Sequence, residues 1–589
     1  MKKGIMKNNA MAFRPYLEKV EKTCSGLRKD ELIGLILRMA EESPPDMRQQ
    51  FLDKLQQYLS RDSALQKTAE PGEAELLHDN LQSLRQNILD RIESIENGAY
   101  WDDPDDDDWK DKMYYDDDPD LLSESHTTQL AAFFDVAGDY FLHNRLPESR
   151  RLYKALFDLV GEINRYGQMP DIEVDVREAH ARYCRAVYEL SGKQERVPAM
   201  LTAMAVKEPD PDFENIQGRD MALLQDVIDA QLGTMPDMQE FLAQWEKALA
   251  GKGHRPERLA RLRLEAAYML GRNEGIAKLV RSWKDKQPLG YVVWLQHLVA
   301  AQKWERISDA ATEALEVLPM GPERRFAAVN LAQAGQNMHN DDLVLEGKKE
   351  AFRSSLDEHD LLLLMDEANR LNIREKEMAW SLDVLRKKST KKTYNADRLL
   401  AKLYLMAGDL KGIADLCKNE KVYGWSGGSP GALFFCAMLH CMAGKHAENC
   451  VLLEAMLTEY TQSSYYFDAY RQIDQEPVTT FVQEIKRGLA EVDAAEAGFT
   501  KHIATTLRNG EKRIDYIVSN KHRNAYGRAA SVLGAMAEMH TARGNDQMAK
   551  ELVHTFYFKK YNRFPAFRKE VRDAVAGSPM LKKVREMLG

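Results

Sequence analysis

A chain of 589 residues is too long for a single hydrophobic core, so it must divide into domains or run as a repeat, and 44% hydrophobic with 30% charged residues excludes a disordered polymer. A mean hydropathy of −0.51 and the lack of any run of about 18 apolar residues exclude a membrane-spanning helix, and the N-terminal charge of Lys2, Lys3 and Lys7 lacks the apolar stretch of a secretory signal. Six cysteines are too few for a disulfide framework and point to a reducing, cytoplasmic, bacterial setting, while the net charge of −10 is split between an acidic stretch, with eleven Asp and two Lys in 101–120, and a basic end, with eighteen Lys/Arg against eight Asp/Glu in 501–589.

In chain order, Leu32, Ile33, Leu35, Ile36, Leu37 and Met39 predict a first helix, which Ser43-Pro44-Pro45 stops. Met47, Phe51, Leu52, Leu55, Tyr58 and Leu59 recur every three and four residues and predict a second. A third follows Pro71-Gly72, with Leu77, Leu81, Leu84, Ile88, Ile92 and Ile95 in register, and ends at Asn97-Gly98. The run from Tyr100 to Asp118 then mixes Asp with Trp101, Trp109, Tyr114 and Tyr115. So much like charge cannot enter a core, so residues 98–122 read as a disordered loop; a calcium site there would need a turn glycine and a twelfth-position Glu that the run lacks.

Beyond it the pattern becomes paired. Ala137, Tyr140, Ser149, Tyr153 and Leu156 show tetratricopeptide spacing, in which small residues let two helices approach and large ones fill the groove to the next pair. Trp294, Leu298, Ala301, Ala310, Ala314 and Val317, closed by Pro319, repeat the template. Less regular pairs surround Ala267–Gly271 and Leu403–Gly408, each with a helix ending at glycine. No alternating run of β-branched residues predicts a strand. Lys418 to Gly431 breaks the series with four glycines and a proline, and helices resume at Ala432.

Two stretches resemble the helical region that accompanies SWIM zinc fingers in bacterial proteins. One is Lys349-Glu350-Ala351-Phe352-Arg353-Ser354-Ser355-Leu356 ahead of Trp380. The other is Arg523-Asn524-Ala525-Tyr526-Gly527-Arg528-Ala529-Ala530-Ser531-Val532-Leu533, with Tyr561-Asn562-Arg563-Phe564-Pro565-Ala566-Phe567. The finger's Cys-x-Cys and Cys-x-His pairs are missing, so the resemblance implies a helical scaffold and no zinc site. In overall build, a large N-terminal part, a soft junction and a smaller helical end, the chain is also similar to the accessory proteins of type III-E CRISPR loci. That similarity implies cleavage near the junction by a caspase-like protease to release a signalling fragment.

Three clusters carry candidate chemistry. Gly424-Trp425-Ser426-Gly427-Gly428 matches the G-x-S-x-G nucleophile elbow, but the elbow needs a strand turning into a helix, and the surroundings are helical. Cys436 and His440 share a helix face four residues apart, and Cys450 or Cys417 offers a third zinc ligand; buried packing in Leu433–Leu439 explains the same residues without metal. At the basic end His554, Phe556, Tyr557, Phe558, Tyr561, Phe564 and Phe567 interleave with Lys559, Lys560 and Arg563, a mix that suits nucleic acid, though the rings fall at core spacing.

The expectation is an all-α, degenerate tetratricopeptide-like solenoid with helical ends. Its parts are an N-terminal helical domain (1–97), the acidic loop (98–122), a repeat domain (123–417), a Gly-rich junction (418–431) and a basic C-terminal domain (432–589). The expected function is non-enzymatic binding of protein partners, without a cofactor. The rivals are cleavage at the junction, around Lys418, Lys421, Tyr423, Gly424, Trp425, Gly427 and Gly428, and nucleic-acid binding at the C-terminus; a zinc or serine enzyme ranks last.

Overall fold

The computed structural model describes residues 73–97, 120–166, 172–204, 221–231, 233–253, 256–388, 394–421, 425, 429–462, 476–490, 492 and 499–589, with six single positions before residue 40. Apart from Ile36, the hairpin expected over Leu32–Leu59 lies outside the described residues, as does the acidic run from Trp101 to Pro119. Among the described residues every element is helical and no strand occurs. None of their helices is long and apolar enough to cross a membrane.

The chain divides into two compact units, 1–290 and 291–589. The first holds α1 (Glu73–Glu96), α2 (Glu124–Leu142), α3 (Leu146–Ile163), α4 (Val176–Leu190), α5 (Arg196–Ala203), α6 (Leu224–Asp229), α7 (Met238–Ala250) and α8 (Glu257–Trp283), the last broken at Arg272, where φ is 51°. Helix α1 keeps the predicted register: Leu81, Leu84, Ile88 and Ile92 are buried. It packs on α2 and α3, and Arg85 reaches Glu162 of α3 with Nε–Oε2 at 2.8 Å. Tetratricopeptide spacing in α2 and α3 has its expected result. Ala137, Tyr140, Ser149, Tyr153 and Leu156 are all buried, and Ser149 Oγ donates to the Ala137 carbonyl across the pair at 2.9 Å. Ser123 and Asp175 cap α2 and α4 by accepting from the His126 and Glu178 amides.

The second unit begins in α9 (Leu289–Ala300) and continues through α10 (Trp304–Val317), α11 (Pro322–Asn337), α12 (Asp341–Ser355), α13 (Glu358–Arg370), α14 (Arg374–Lys388), α15 (Tyr394–Met406) and α16 (Leu410–Leu416). From α10 to α16 each helix packs on the next, the nearest-neighbour order of a helical repeat. The α11–α12 pair is the tightest. A Cβ on Gly347 would lie 2.5 Å from the Ala332 nitrogen, and one on Gly335 would lie 2.8 Å from that of Val344, so only glycine allows this approach. The rest is α17 (Pro430–Ala443), α18 (Val451–Thr461), α19 (Phe481–Ala490), α20 (Phe499–Ser519), α21 (Tyr526–Ala542), α22 (Asp546–His554), α23 (Pro565–Gly577) and α24 (Lys582–Leu588). Here the ladder gives way to a cluster. Helix α21, rich in alanine and with Tyr526, Ala529, Ala530 and Val532–His540 buried, is touched by α17, α18, α20, α22 and α23.

The sequence places a domain junction at 418–431, whereas the two units part between Gly290 and Tyr291. A single apolar cluster runs across the 418–431 stretch, from Phe352 and Leu403 before it to Phe435 and Leu533 after it. Trp425 belongs to that cluster, 3% exposed with its ring centroid 5.1 Å from that of Phe435. Glycines mark freedom of the backbone; they do not report whether a neighbouring side chain is buried.

Candidate binding cleft

Helix periodicity puts Arg325, Val329, Ala332, Gln333 and Gln336 on one face of α11. That face, with His359, Asp360 and Leu363 of α13, walls an open cleft of about 230 Å³, and Gly347, Lys348 and Ala351 of α12 form its floor. The three helices pack in sequence, so the cleft lies where two first-of-pair helices flank the second-of-pair helix between them.

The floor is charged and ordered. Arg325 grips Asp360 with two parallel bonds, Nε to Oδ2 at 2.6 Å and Nη2 to Oδ1 at 2.8 Å, and the Ser355 hydroxyl adds a third bond to the same carboxylate at 2.7 Å. Lys348 Nζ donates to Glu367 Oε2 at 3.0 Å, and Arg370 Nε donates to Glu367 Oε1 at 3.0 Å. Arg325, Lys348, His359, Asp360 and Glu367 are all under 10% exposed. Beside this row Lys349 pairs with the buried Glu377 at 2.7 Å, and Glu350 takes Arg324 and Arg353, each at 2.6 Å. Further along, Lys402 is buried against Glu358 at 2.6 Å, the Thr461 carbonyl at 3.1 Å and the Phe481 ring; burial pulls its pKa below the usual lysine range. Buried ion pairs contribute little net stability but fix geometry, and removing one partner is costly. The row therefore holds the α11–α13 walls in place.

Sequence reasoning missed this cleft. The motif that carried the resemblance lies at its edge: Lys349 and Arg353 stack on the Trp380 ring at 4.5 Å and 5.5 Å, Phe352 is buried, and Ser355 supports Asp360. No local pattern in the sequence marks these pairs, because Arg325 and Asp360 lie 35 positions apart.

The residues singled out in the sequence stand elsewhere. Cys436 and Cys450 are buried in the apolar cluster. Burial raises the Cys436 thiol strongly, pushes Cys417, Cys441 and Cys450 up to about 12, and drops His440 to about 4. The Cys450 thiol faces the His446 carbonyl and the Met580 sulfur. Among the described residues no three His, Cys, Asp or Glu side chains are grouped to hold a metal, so Cys436, His440 and Cys450 are not assembled as a ligand set. Of the junction residues, Lys418, Lys421 and Trp425 are described; Tyr423, Gly424, Gly427 and Gly428 are not. The Trp425 carbonyl accepts from Arg513 Nη2 at 2.6 Å, and Glu420 Oε2 accepts from the Gly431 amide at 2.7 Å, so both ends of the stretch are tied down. At the basic end Phe556, Tyr557, Tyr561 and Phe567 are buried, and Tyr561 meets Phe564 and Phe567 edge-on at 5.4 Å and 5.7 Å. Those rings are spent in the core, while Lys559, Lys560 and Arg563 stay exposed.

No family model and no curated protein matches the sequence. Among solved structures, the chain is similar to the pentatricopeptide repeat protein PPR10 in complex with an 18-nt psaJ RNA element, at 13% identity over 95% of this chain and 98% of that one, with a TM-score of 0.16. A form of PPR10 with three cysteines replaced by serine, in complex with the same element, matches with the same values. A likeness this faint carries no argument about the chain.

Proposed function

We propose that the chain is a non-enzymatic helical-repeat protein that binds a protein partner through the α11–α13 cleft. The observation that carries this reading is the cleft itself: an open trough on stacked helices, lined by apolar and polar side chains together, with its walls fixed by buried ion pairs. Repeat proteins present such faces for binding because each helix pair contacts only its neighbours and leaves one surface uncovered. The chemistry of the cysteines agrees. A thiol pushed up to about 12 stays protonated at neutral pH and is a poor nucleophile or metal ligand. Release of a signalling fragment by a protease is the rival reading, and it requires Trp425 to leave the core before the stretch can extend into an active site. Nucleic-acid binding at the C-terminus keeps the exposed cations and Phe558, but Phe556, Tyr557, Tyr561 and Phe567 are buried and cannot stack on a base.

The test is affinity capture of the full chain from its native cells, with and without nuclease, followed by mass spectrometry. A protein recovered in near-stoichiometric amount and retained after nuclease is the expected result. Recovery of nucleic acid alone, or loss of every captured protein on nuclease treatment, would overturn the reading.

A further inference from the structure

Lys348 presents donors at the cleft floor that the fold does not consume. An ammonium carries three N–H donors, and among the described residues its one hydrogen-bond acceptor is Glu367. That carboxylate is already shared with Arg370, and Asp360 on the α13 wall is taken by Arg325 and Ser355. Yet Lys348 is only 9% exposed, and buried polar groups are normally satisfied. On the α11 wall of the same cleft, the half-buried Gln333 has an amide side chain to which no bond falls among the described residues.

From these two groups we infer that the cleft seats an extended acidic segment of a partner protein, with one Asp or Glu carboxylate on Lys348 Nζ and the segment's main chain on the Gln333 amide. The inference rests on the protein-binding reading above and deepens it. A carboxylate fits Lys348 because a charge-assisted bond to an ammonium is about twice as strong as a neutral one. An amide fits the backbone of an extended segment, which offers N–H and C=O groups in turn. Size points the same way. The span from Arg325 to Gln336 is about 16 Å at a rise of about 1.5 Å per residue, the length of about five extended residues. A volume of about 230 Å³ is below the roughly 300–1,000 Å³ of sites that enclose a whole small molecule, but it admits side chains of a segment laid across it. Nucleic acid fits less well, because no Phe, Tyr or Trp lines the cleft for a base to stack on.

The experiment selects peptides from a phage-displayed library of random twelve-residue sequences on the full chain, then measures the affinity of the selected peptides for three proteins: wild type, Lys348→Gln and Gln333→Ala. The expected result is a selected set that shares one Asp or Glu, binding about tenfold or more weaker with Lys348→Gln, and binding about threefold weaker with Gln333→Ala. Gln333 lies at the rim, so its variant keeps the test decisive if Lys348→Gln unfolds. Peptides that bind all three proteins equally would overturn the cleft assignment while leaving protein binding intact. A library that yields no binder would overturn the extended-segment inference, while a protein captured from native cells would still uphold protein binding. Displacement of the selected peptides by oligouridylate, with the same dependence on Lys348, would reassign the cleft to nucleic acid and overturn the inference.

Discussion

His180 sits 2% exposed between two backbone groups: Nδ1 accepts from the Ala222 amide at 3.2 Å, and Nε2 donates to the Ala203 carbonyl at 3.0 Å. Both ring nitrogens are spent on the neutral form, and burial drops the pKa to about 4. The consequence for stability has a definite sign. The unfolded ring takes a proton near its ordinary value of about 6.5 and the folded ring does not, so stability is full above about 6.5 and falls as pH drops from there toward 4. Urea unfolding of the wild type should lose about 2 kcal/mol from this group between pH 7.5 and pH 5, and His180→Leu should flatten that part of the profile. An unchanged slope in the variant would mean the ring is not held neutral. Nothing in the sequence around His180 announces this, because Ala203 and Ala222 are distant in the chain. By contrast Ser149 and Ala137 were legible, since their small size at a set spacing is itself the packing rule.

At the scale of elements, the helices were legible from periodicity and several of their caps were not. Ser123, Asp175, Asn340 and Asp409 cap their own helices and are written beside them in the sequence. Helix α18 has no local cap. Glu538, buried in α21, reaches its N-terminus and accepts from the Leu452 and Leu453 amides at 3.0 Å and 3.1 Å, while Ser578 Oγ adds a bond at 2.6 Å. Asp366 of α13 likewise accepts from the Val478 and Thr479 amides ahead of α19. Such caps come from more than 80 residues away and leave no local signal. Glu538→Ala should therefore cost about 2–4 kcal/mol, the loss of a cap plus buried donors left without an acceptor, and Glu538→Gln less, since its amide oxygen still accepts. Hydrogen exchange at Leu452 and Leu453 checks this; rates unchanged in the alanine variant would show that Glu538 does not hold α18. The same scale explains the 418–431 stretch. Trp425→Ala removes its buried anchor and should speed tryptic cutting after Lys418 and Lys421 by about tenfold or more, at a temperature where the fold persists. Equal cutting in both proteins would mean that the indole does not restrain the stretch.

For the whole molecule, the all-α class and the helix pairing follow from the sequence, while the division of the chain and the position of the cleft do not. The acidic stretch at 101–120 and the basic C-terminal end dominate the charge pattern, and the glycines of 424–431 are the chain's most evident break in helical character. The structure instead joins both sides of that stretch in one apolar cluster and pairs buried charges across α11–α13. Those charges were visible as residues and invisible as pairs, since Arg325 meets Asp360 and Lys348 meets Glu367 only once three helices have stacked. If the α11–α13 cleft binds the partner, hydrogen–deuterium exchange on the full chain, alone and in its captured complex, should show slowed exchange in peptides covering residues 325–337 and 347–363. Protection confined to the basic face around 521–572, with none in the cleft, would contradict binding there.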